Sequence, residues 1–397
     1  MRRNFLLLLL LSCIEPYDFE VAKPIKVLVV DGSLTNVPGL QYVKLSYSYA
    51  LDQDSASVSS GAQVCITDDL GNTIEYLETR PGYYEPDEDS HGTTGRKYQL
   101  SIRTADGEEY LSSMDELLPT GELTIYGRYE EFASENSAGF DAGVQFYVDV
   151  NGTDENKIHN YRIQYGEDFQ VNANYPKVAT WNPEDSTLKW VSKDSIVYYQ
   201  RCYRNRPSQN SLEIATTSGQ INSDLKEFPL RQVDPTRPEL LIKYSTTVTT
   251  FRISSEAYQY YKDLKENNES AGSFFDRQKG TFVGNIQNID NPENLVLGYF
   301  EVAGVVRKFE IFEGNQWGEE GYKPTGWAFT KDCFLHIDTL AGNFSDLRNA
   351  ILAEEIDMVN NNVWYATGLP PLILWAPLRC TDCTTFASPE KPDFWPD

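Results

Sequence analysis

The stretch Tyr42–Tyr49 reads Tyr-Val-Lys-Leu-Ser-Tyr-Ser-Tyr, with an apolar or aromatic residue at every second position from Val43 onward. Alternation with a period of two places these side chains on one face of a β-strand and the polar ones on the other. The same pattern returns at Tyr98, Leu100 and Ile102. The stretch therefore predicts a strand with one buried face, and its recurrence predicts a protein that is mainly β.

Short strands are predicted on both sides of this stretch, separated by turn residues. One covers Ile25–Val30 and is expected to end at Asp31-Gly32. Two more, Gln63–Thr67 and Thr73–Leu77, flank Asp68-Asp69-Leu70-Gly71-Asn72, a composition typical of a hairpin turn. This spacing predicts an immunoglobulin-like β-sandwich over residues 24–115.

After the turn residues Leu118-Pro119-Thr120-Gly121, a larger antiparallel β domain with two helices is predicted over residues 121–397. The first helix begins at Ser255-Glu256, and the second covers Asn343–Met358. The predicted strands of this domain are Leu123–Tyr129, Val144–Val150, Tyr161–Tyr165, Ile196–Arg201, Leu240–Tyr244, Val248–Ile253, Val305–Phe312 and Leu372–Ala376.

The first residues have the pattern of an export signal. Arg2 and Arg3 precede the leucine run Leu6–Leu11, which is too short to span a bilayer. Ser12 and Cys13 follow, so that Leu10–Cys13 resembles the lipobox of bacterial lipoproteins. We expect residues 1–12 to be removed, Cys13 to be lipidated and residues 13–23 to form an acidic tether. The alternative is an ordinary secretory signal in which the cysteine is incidental.

The charge of the chain limits its partners. The formal net charge is -25 over 397 residues, and it becomes -27 once Arg2 and Arg3 are lost with the signal. Such a surface repels phosphate backbones and anionic lipid. We therefore expect no nucleic-acid partner, and we expect attachment to a membrane to come from the acyl chains.

The remaining cysteines predict disulfides. Exported compartments oxidise thiols, so Cys202, Cys333, Cys380 and Cys383 are candidates for two disulfides, with three possible pairings and Cys65 left over. The alternative is a zinc site made of Cys333, His336, Cys380 and Cys383, which have zinc-like spacing. Against zinc, residues three apart on an extended segment, such as Cys333 and His336, point to opposite faces.

Catalytic motifs are absent from the sequence. It has 3 histidines, and it contains no Gly-x-Ser-x-Gly, His-Glu-x-x-His or phosphate-binding glycine loop. A glycosidase needs only two carboxylates, but 59 acidic residues single out no pair. We therefore predict a protein without catalysis or cofactor. Two aromatic clusters are consistent either with stacking on sugar rings or with packing in the core. They are Tyr198, Tyr199 and Tyr203 with Trp181 and Trp190, and Trp364-Tyr365 with Trp375.

Several segments taken together resemble DUF4249, a family of unknown function found in outer-membrane lipoproteins of Bacteroidota. They are Cys13–Pro16, Val30–Asn36, Tyr42–Ser46, Val64–Asn72, Gly284–Ile286, Leu297–Phe300, Cys380–Cys383 and Lys391–Trp395. The chain departs from the family at Thr384–Ser388, where glycines are expected.

This resemblance implies an outer-membrane lipoprotein, often grouped with TonB-dependent receptors and without established catalysis. The acidic residues after Cys13 also resemble tags for export to the cell surface, which favours the surface over the periplasmic face. The predicted function is a lipid-anchored binding or assembly subunit that is accessory to a TonB-dependent β-barrel receptor. The alternative is a surface glycan-binding or glycan-processing lipoprotein.

Overall fold

A computed structural model describes most of the chain between residues 27 and 396. The described residues are 27–48, 57–131, 142–154, 157–182, 187–207, 212–220, 222–270, 284–326, 330–334, 336–339, 356–359 and 372–396. Cys13, the predicted signal and the predicted tether lie outside them.

The fold is mainly β, as predicted. The strands are β1 (Leu28–Thr35), β2 (Tyr42–Tyr47), β3 (Ser57–Val58), β4 (Gln63–Asp68), β5 (Thr73–Arg80), β6 (Tyr83–Glu85), β7 (Lys97–Arg103), β8 (Glu109–Ser112), β9 (Asp115–Glu116), β10 (Leu123–Glu131), β11 (Ala142–Val150), β12 (Asn160–Asn172), β13 (Lys177–Asn182), β14 (Thr187–Trp190), β15 (Arg201–Pro207), β16 (Glu213–Thr216), β17 (Leu225–Val233), β18 (Lys243–Ile253), β19 (Ile286–Asn288), β20 (Val296–Glu313), β21 (His336–Thr339), β22 (Ile356–Val359) and β23 (Leu372–Pro377). The described helices are α1 (Lys193–Gln200), α2 (Ser255–Ser270), α3 (Leu378–Thr381) and a 3-10 turn, Cys383–Thr385. Of these helices, none has the length and apolar character needed to cross a bilayer.

A 15-stranded sheet runs through both predicted domains. Its order is β15-β12-β18-β20-β1-β2-β6-β5-β4-β7-β8-β19, with β16, β3 and β9 paired at its sides. Two smaller sheets, β10-β11-β17 and β14-β13-β22-β23-β21, complete the strands described. All pairings within residues 121–397 are antiparallel among the strands described, but β1 and β20 run parallel.

Two large hydrophobic cores lie on either side of the boundary predicted near residue 118. One includes Val30, Leu45 and Leu100 together with Phe300 of β20. The other fills the space between β12, β18 and the sheet β10-β11-β17, with Phe146 near its centre. A division by sequence position alone therefore misses that β19 and the start of β20 belong to the first core. The immunoglobulin-like assignment itself stays a prediction.

Local sequence signals account for several elements. The hairpin between β4 and β5 is confirmed: Asp68 Oδ1 accepts hydrogen bonds from the backbone N–H of Leu70 at 2.9 Å and of Asn72 at 2.8 Å. The helix predicted at Ser255 is also confirmed as α2. The strand predicted to end at Asp31-Gly32 instead continues to Thr35. Gly32 marks close packing rather than a turn, since an added Cβ would lie 3.2 Å from the Phe300 ring.

One strand prediction was wrong, and one helix prediction is contradicted at its end. Residues Ile196–Arg201 were expected to form a strand, but α1 ends only at Gln200. The Ser192 side chain caps that helix by accepting a hydrogen bond from the Ser195 N–H at 3.2 Å, a local signal that outweighs the β-branched residues. The second predicted helix, Asn343–Met358, lies mostly outside the described residues, and its end belongs to strand β22.

Candidate functional site

A groove of about 880 Å³ crosses the face of four neighbouring strands, β15, β12, β18 and β20. Its volume lies in the range typical of small-molecule sites. It is bordered by Gln164, Tyr165, Gly166, Asp168, Asn205, Pro207, Thr247, Thr249, Arg307, Lys308, Phe309, Pro392 and Phe394.

The strand registers explain how distant residues meet in this groove. Gln164 lies opposite Thr249, which lies opposite Arg307, so these side chains form one row across three strands. Because side chains alternate along a strand, the next row on the same face lies two residues further along.

The second row is formed by the partners of Gly166. Pro207 lies opposite Gly166 on one side and Thr247 on the other, and Thr247 lies opposite Phe309. A Cβ added at Gly166 would meet no atom within 4 Å. Gly166 is therefore an open position in the floor of the groove.

The helix α2 covers the row before the groove on this sheet face. That row contains Arg162, Phe251 and Val305, and the last two pack against Ala257 and Tyr261 of α2. The covered row is thus followed directly by the open row that ends at Arg307. The polar residues of the groove floor mark the point where the helix no longer shields the sheet.

The C-terminal tail forms a wall of the groove. The Phe394 ring lies 5.4 Å from the Phe309 ring, and both are partly exposed, at 37% and 49%. Trp395 is buried, with its ring 5.7 Å from the Tyr203 ring. The tail therefore supplies an aromatic surface to the groove and an anchor to the fold.

Backbone bonds and a disulfide hold the tail against β15. Tyr203 N–H donates to Ser388 C=O at 2.7 Å, and Ser388 N–H donates to Tyr203 C=O at 3.0 Å. The adjacent Cys202 is disulfide-bonded to Cys383. Because β15 is the last strand of its sheet, the tail also covers an edge that would otherwise be open to other strands.

The charges of the groove are separated across the sheet. Arg307 is exposed on β20 and makes no ion pair with any residue that the structure describes. On the opposite side, Asp168 Oδ1 accepts a hydrogen bond from Asn205 Nδ2 at 2.8 Å. Neighbouring strands are about 4.8 Å apart, so β12 and β20 are separated by roughly 10 Å. The groove has an acidic side and a basic side.

A network of charged side chains lies beneath the floor, on the inner face of β12. Tyr244 donates a hydrogen bond to Glu167 at 2.8 Å, and Arg231 and Arg206 each contact both Glu167 and Glu239. Burial raises the pKa of Glu167, while the adjacent arginine charges oppose this shift. Neither carboxylate borders the groove. We assign this network to holding β12, β15 and β17 together.

The cysteines pair as Cys202–Cys383 and Cys333–Cys380. This is one of the three pairings left open by the sequence, and it leaves Cys65 as a half-buried thiol whose pKa is raised by burial. The zinc alternative does not fit, because the sulfurs of Cys333, Cys380 and Cys383 are all in disulfides. In the described residues, no group of three or more His, Cys, Asp or Glu side chains is placed to hold a metal ion.

Of the aromatic residues singled out in the sequence, those whose side chains the structure describes do not line the groove. Trp190 and Tyr198 are exposed near α1, and Tyr203 is buried beneath the tail. Trp364-Tyr365 and the side chains of Trp181 and Trp375 lie outside what the structure describes.

Comparison with models of protein families identifies the family of the chain. The model of the domain of unknown function DUF4249 matches residues 14–308. The chain belongs to the DUF4249 family. No curated protein matches it. In this DUF4249 protein, the matched span includes β12, β15, β18 and β20 as far as Lys308, so it covers most of the groove floor. Phe309 and the tail wall lie beyond it.

Most groove residues were not singled out from the sequence, and Pro392 and Phe394 were named only as part of the family segment Lys391–Trp395. Each row joins residues separated by tens of positions, and only the register between strands brings them together. Thr249 lies on the predicted strand Val248–Ile253, but Thr247 falls in the gap between it and the predicted strand Leu240–Tyr244, a gap that β18 closes in the structure.

Proposed function

We propose that this DUF4249 protein is a non-enzymatic binding subunit, anchored by lipid at the outer membrane and accessory to a TonB-dependent receptor. The groove between strands β12, β15, β18 and β20 and the C-terminal tail is its binding site. The open groove is the single observation that carries the binding role, because rigid strands position its floor while a separate segment provides its wall.

The composition of the groove favours binding over catalysis. Among the described residues that line it, Asp168 is the only carboxylate, and its Oδ1 already accepts a hydrogen bond from Asn205. Glycoside hydrolysis uses two facing carboxyl groups. The hydroxyl and amide groups of Thr247, Thr249 and Gln164 provide hydrogen bonds without providing a nucleophile activated by a base.

The anchor and the partner are supported by the sequence. The order Leu10-Leu11-Ser12-Cys13 supports lipidation of Cys13, and two or more acyl chains suffice for stable membrane attachment. The resemblance to outer-membrane lipoproteins grouped with TonB-dependent receptors supports the choice of partner. The acidic residues after Cys13 support display at the cell surface.

The test is affinity capture from solubilised outer membranes of a bacterium of the Bacteroidota. The full chain carries a tag in the exposed turn at Gly107, which lies outside the groove-lining residues. We expect a β-barrel receptor to be recovered with it. Cys13→Ser is expected to move the protein into the soluble fraction, whereas the matched variant Cys65→Ser is expected to stay in the membrane. Recovery without any β-barrel receptor would refute the partnership.

The same capture tests the groove. Gly166→Leu fills an open floor position, so small molecules retained by the wild-type protein are expected to be missing from its eluate. Identical eluates from both proteins would show that the groove is not the binding site.

A glycan-binding role is the second candidate. The aromatic pair Phe309 and Phe394 beside a row of hydroxyl groups is the observation that favours it, since sugar rings present apolar faces and hydroxyl edges. Glycan processing lacks the second carboxylate among the described lining residues.

A further inference from the structure

We infer that the groove binds an oligosaccharide that carries carboxylate groups, that is, an acidic glycan built from uronate residues. This inference rests on the proposed function, because it names the ligand class of the same groove.

The aromatic wall and the polar floor fit a sugar chain. Phe309 and Phe394 are both partly exposed at the groove and offer ring faces for stacking. Thr247 lies directly opposite Phe309, so a hydroxyl group is presented next to the stacking surface. A saccharide uses both kinds of contact at once.

The position of Arg307 selects a negative group. The chain has a net charge of -25, so its surface as a whole repels anions. The exposed Arg307 guanidinium makes no ion pair with the described residues and therefore provides a local positive site. A guanidinium binds a carboxylate through two parallel hydrogen bonds. Arg307 and Phe309 are two residues apart on β20, which is about 7 Å. A carboxylate on a sugar ring stacked against Phe309 is therefore within reach of the long Arg307 side chain.

The opposite side of the groove selects hydroxyl groups. Asp168 accepts hydrogen bonds, and its orientation is fixed by Asn205. Since Asp168 and Arg307 lie on strands roughly 10 Å apart, a ligand that engages both extends beyond one sugar ring. A polyphosphate offers Asp168 only acceptor oxygens. Each ring of a uronate oligosaccharide also carries hydroxyl groups, which can donate hydrogen bonds to Asp168.

The experiment is calorimetric titration of the full lipoprotein in detergent with an oligogalacturonate and with its fully methyl-esterified form. Esterification removes the charge and keeps the ring hydroxyl groups. We expect the acid to bind at least about tenfold more tightly than the ester, because a hydrogen bond to a charged group is stronger than one between neutral groups. Arg307→Gln is expected to abolish this difference. The control is Arg103→Gln, which removes another exposed arginine, from β7, and is expected to keep the difference.

Equal or tighter binding of the ester would overturn the inference, as would an equal loss in Arg103→Gln, which would indicate general charge attraction. Failure of both forms to bind would also overturn it. That failure is distinct from failure of the proposed function, because capture of the receptor and the Gly166→Leu comparison use no added sugar.

Discussion

Arg162 donates two hydrogen bonds to Glu301, a residue 139 positions later in the chain: Nε to Oε2 at 2.8 Å and Nη2 to Oε1 at 2.7 Å. Only 11% of the Arg162 side chain and 1% of the Glu301 side chain are exposed. The guanidinium also lies 3.8 Å from the Phe251 ring centre. The pair joins β12 to β20 across β18 on the face covered by α2, beside the groove.

Loss of one partner of this pair is expected to be costly. Glu301→Gln leaves the Arg162 charge buried without a counterion, which typically lowers the free energy of unfolding by about 3–5 kcal/mol. Urea unfolding measures the change. Glu109→Gln, at an exposed pair with Arg103, is the matched control and is expected to cost less than about 1 kcal/mol.

Removal of both charges is a separate prediction. Arg162→Met combined with Glu301→Leu replaces the ion pair by apolar side chains and leaves no uncompensated charge. We expect the double variant to be more stable than either single variant. A double variant that is less stable than both would show that the pair itself contributes a net stabilisation.

Two glycines on the long sheet are expected to respond in opposite ways to alanine. Gly298 has φ +95°, and an added Cβ would lie 1.8 Å from the carbonyl oxygen of Val30, its partner in the parallel pairing. Gly298→Ala is expected to lower the free energy of unfolding by about 3 kcal/mol or more. Gly166→Ala meets open space, so it is expected to be neutral or to stabilise by up to about 1 kcal/mol. Thermal or urea unfolding of both variants makes the comparison, and equal losses would contradict it.

The elements that were predictable from the sequence depend on residues close together in the chain. The alternation at Val43 and Leu45 predicts β2, and both side chains are fully buried. The Asp68 turn and the start of α2 likewise depend on neighbouring residues. The parallel pairing of β1 with β20 depends instead on the fit of Gly298 against Val30, more than 200 residues away, and no local pattern encodes it.

The groove could not be predicted from the sequence for the same reason. Thr249 and Arg307 are ordinary polar residues on predicted strands, and only the register places them in one row. The cysteines were easier to assign, because thiols of an exported chain are usually oxidised to disulfides. Their pairing still required the structure, since Cys202 and Cys383 are 181 residues apart.

The two disulfides are expected to contribute unequally. In the chain-entropy model, stabilisation increases with the length of the closed loop, and a disulfide typically contributes about 2–4 kcal/mol. The Cys202–Cys383 loop spans 181 residues and the Cys333–Cys380 loop spans 47. Cys202→Ser with Cys383→Ser is therefore expected to cost about 1 kcal/mol more than Cys333→Ser with Cys380→Ser.

Urea unfolding under oxidising conditions measures both double variants, with Cys65→Ser as the control that alters no disulfide. A local effect is also expected. Loss of Cys202–Cys383 releases the tail, so the amide hydrogens of Tyr203 and Ser388 are expected to exchange faster. Unchanged exchange at these two amides would show that Trp395 and the backbone bonds hold the tail without the disulfide.

His159 is expected to make the stability depend on pH. It is 1% exposed, and burial together with the nearby Arg252 charge lowers its pKa from 6.5 to about 4. Between these values the unfolded chain binds a proton that the folded chain does not, so the free energy of unfolding decreases as the pH falls through this window. The loss between pH 7 and pH 5 from this one group is expected to be about 2 kcal/mol.

Carboxylates also titrate as the pH falls, so the contribution of His159 is measured as the difference between variants. Urea unfolding at both pH values is expected to show a smaller loss for His159→Gln than for the wild type, while His91→Gln, at an exposed position, retains the full loss. Equal losses in His159→Gln and wild type would show that His159 is protonated in the folded protein as readily as in the unfolded chain.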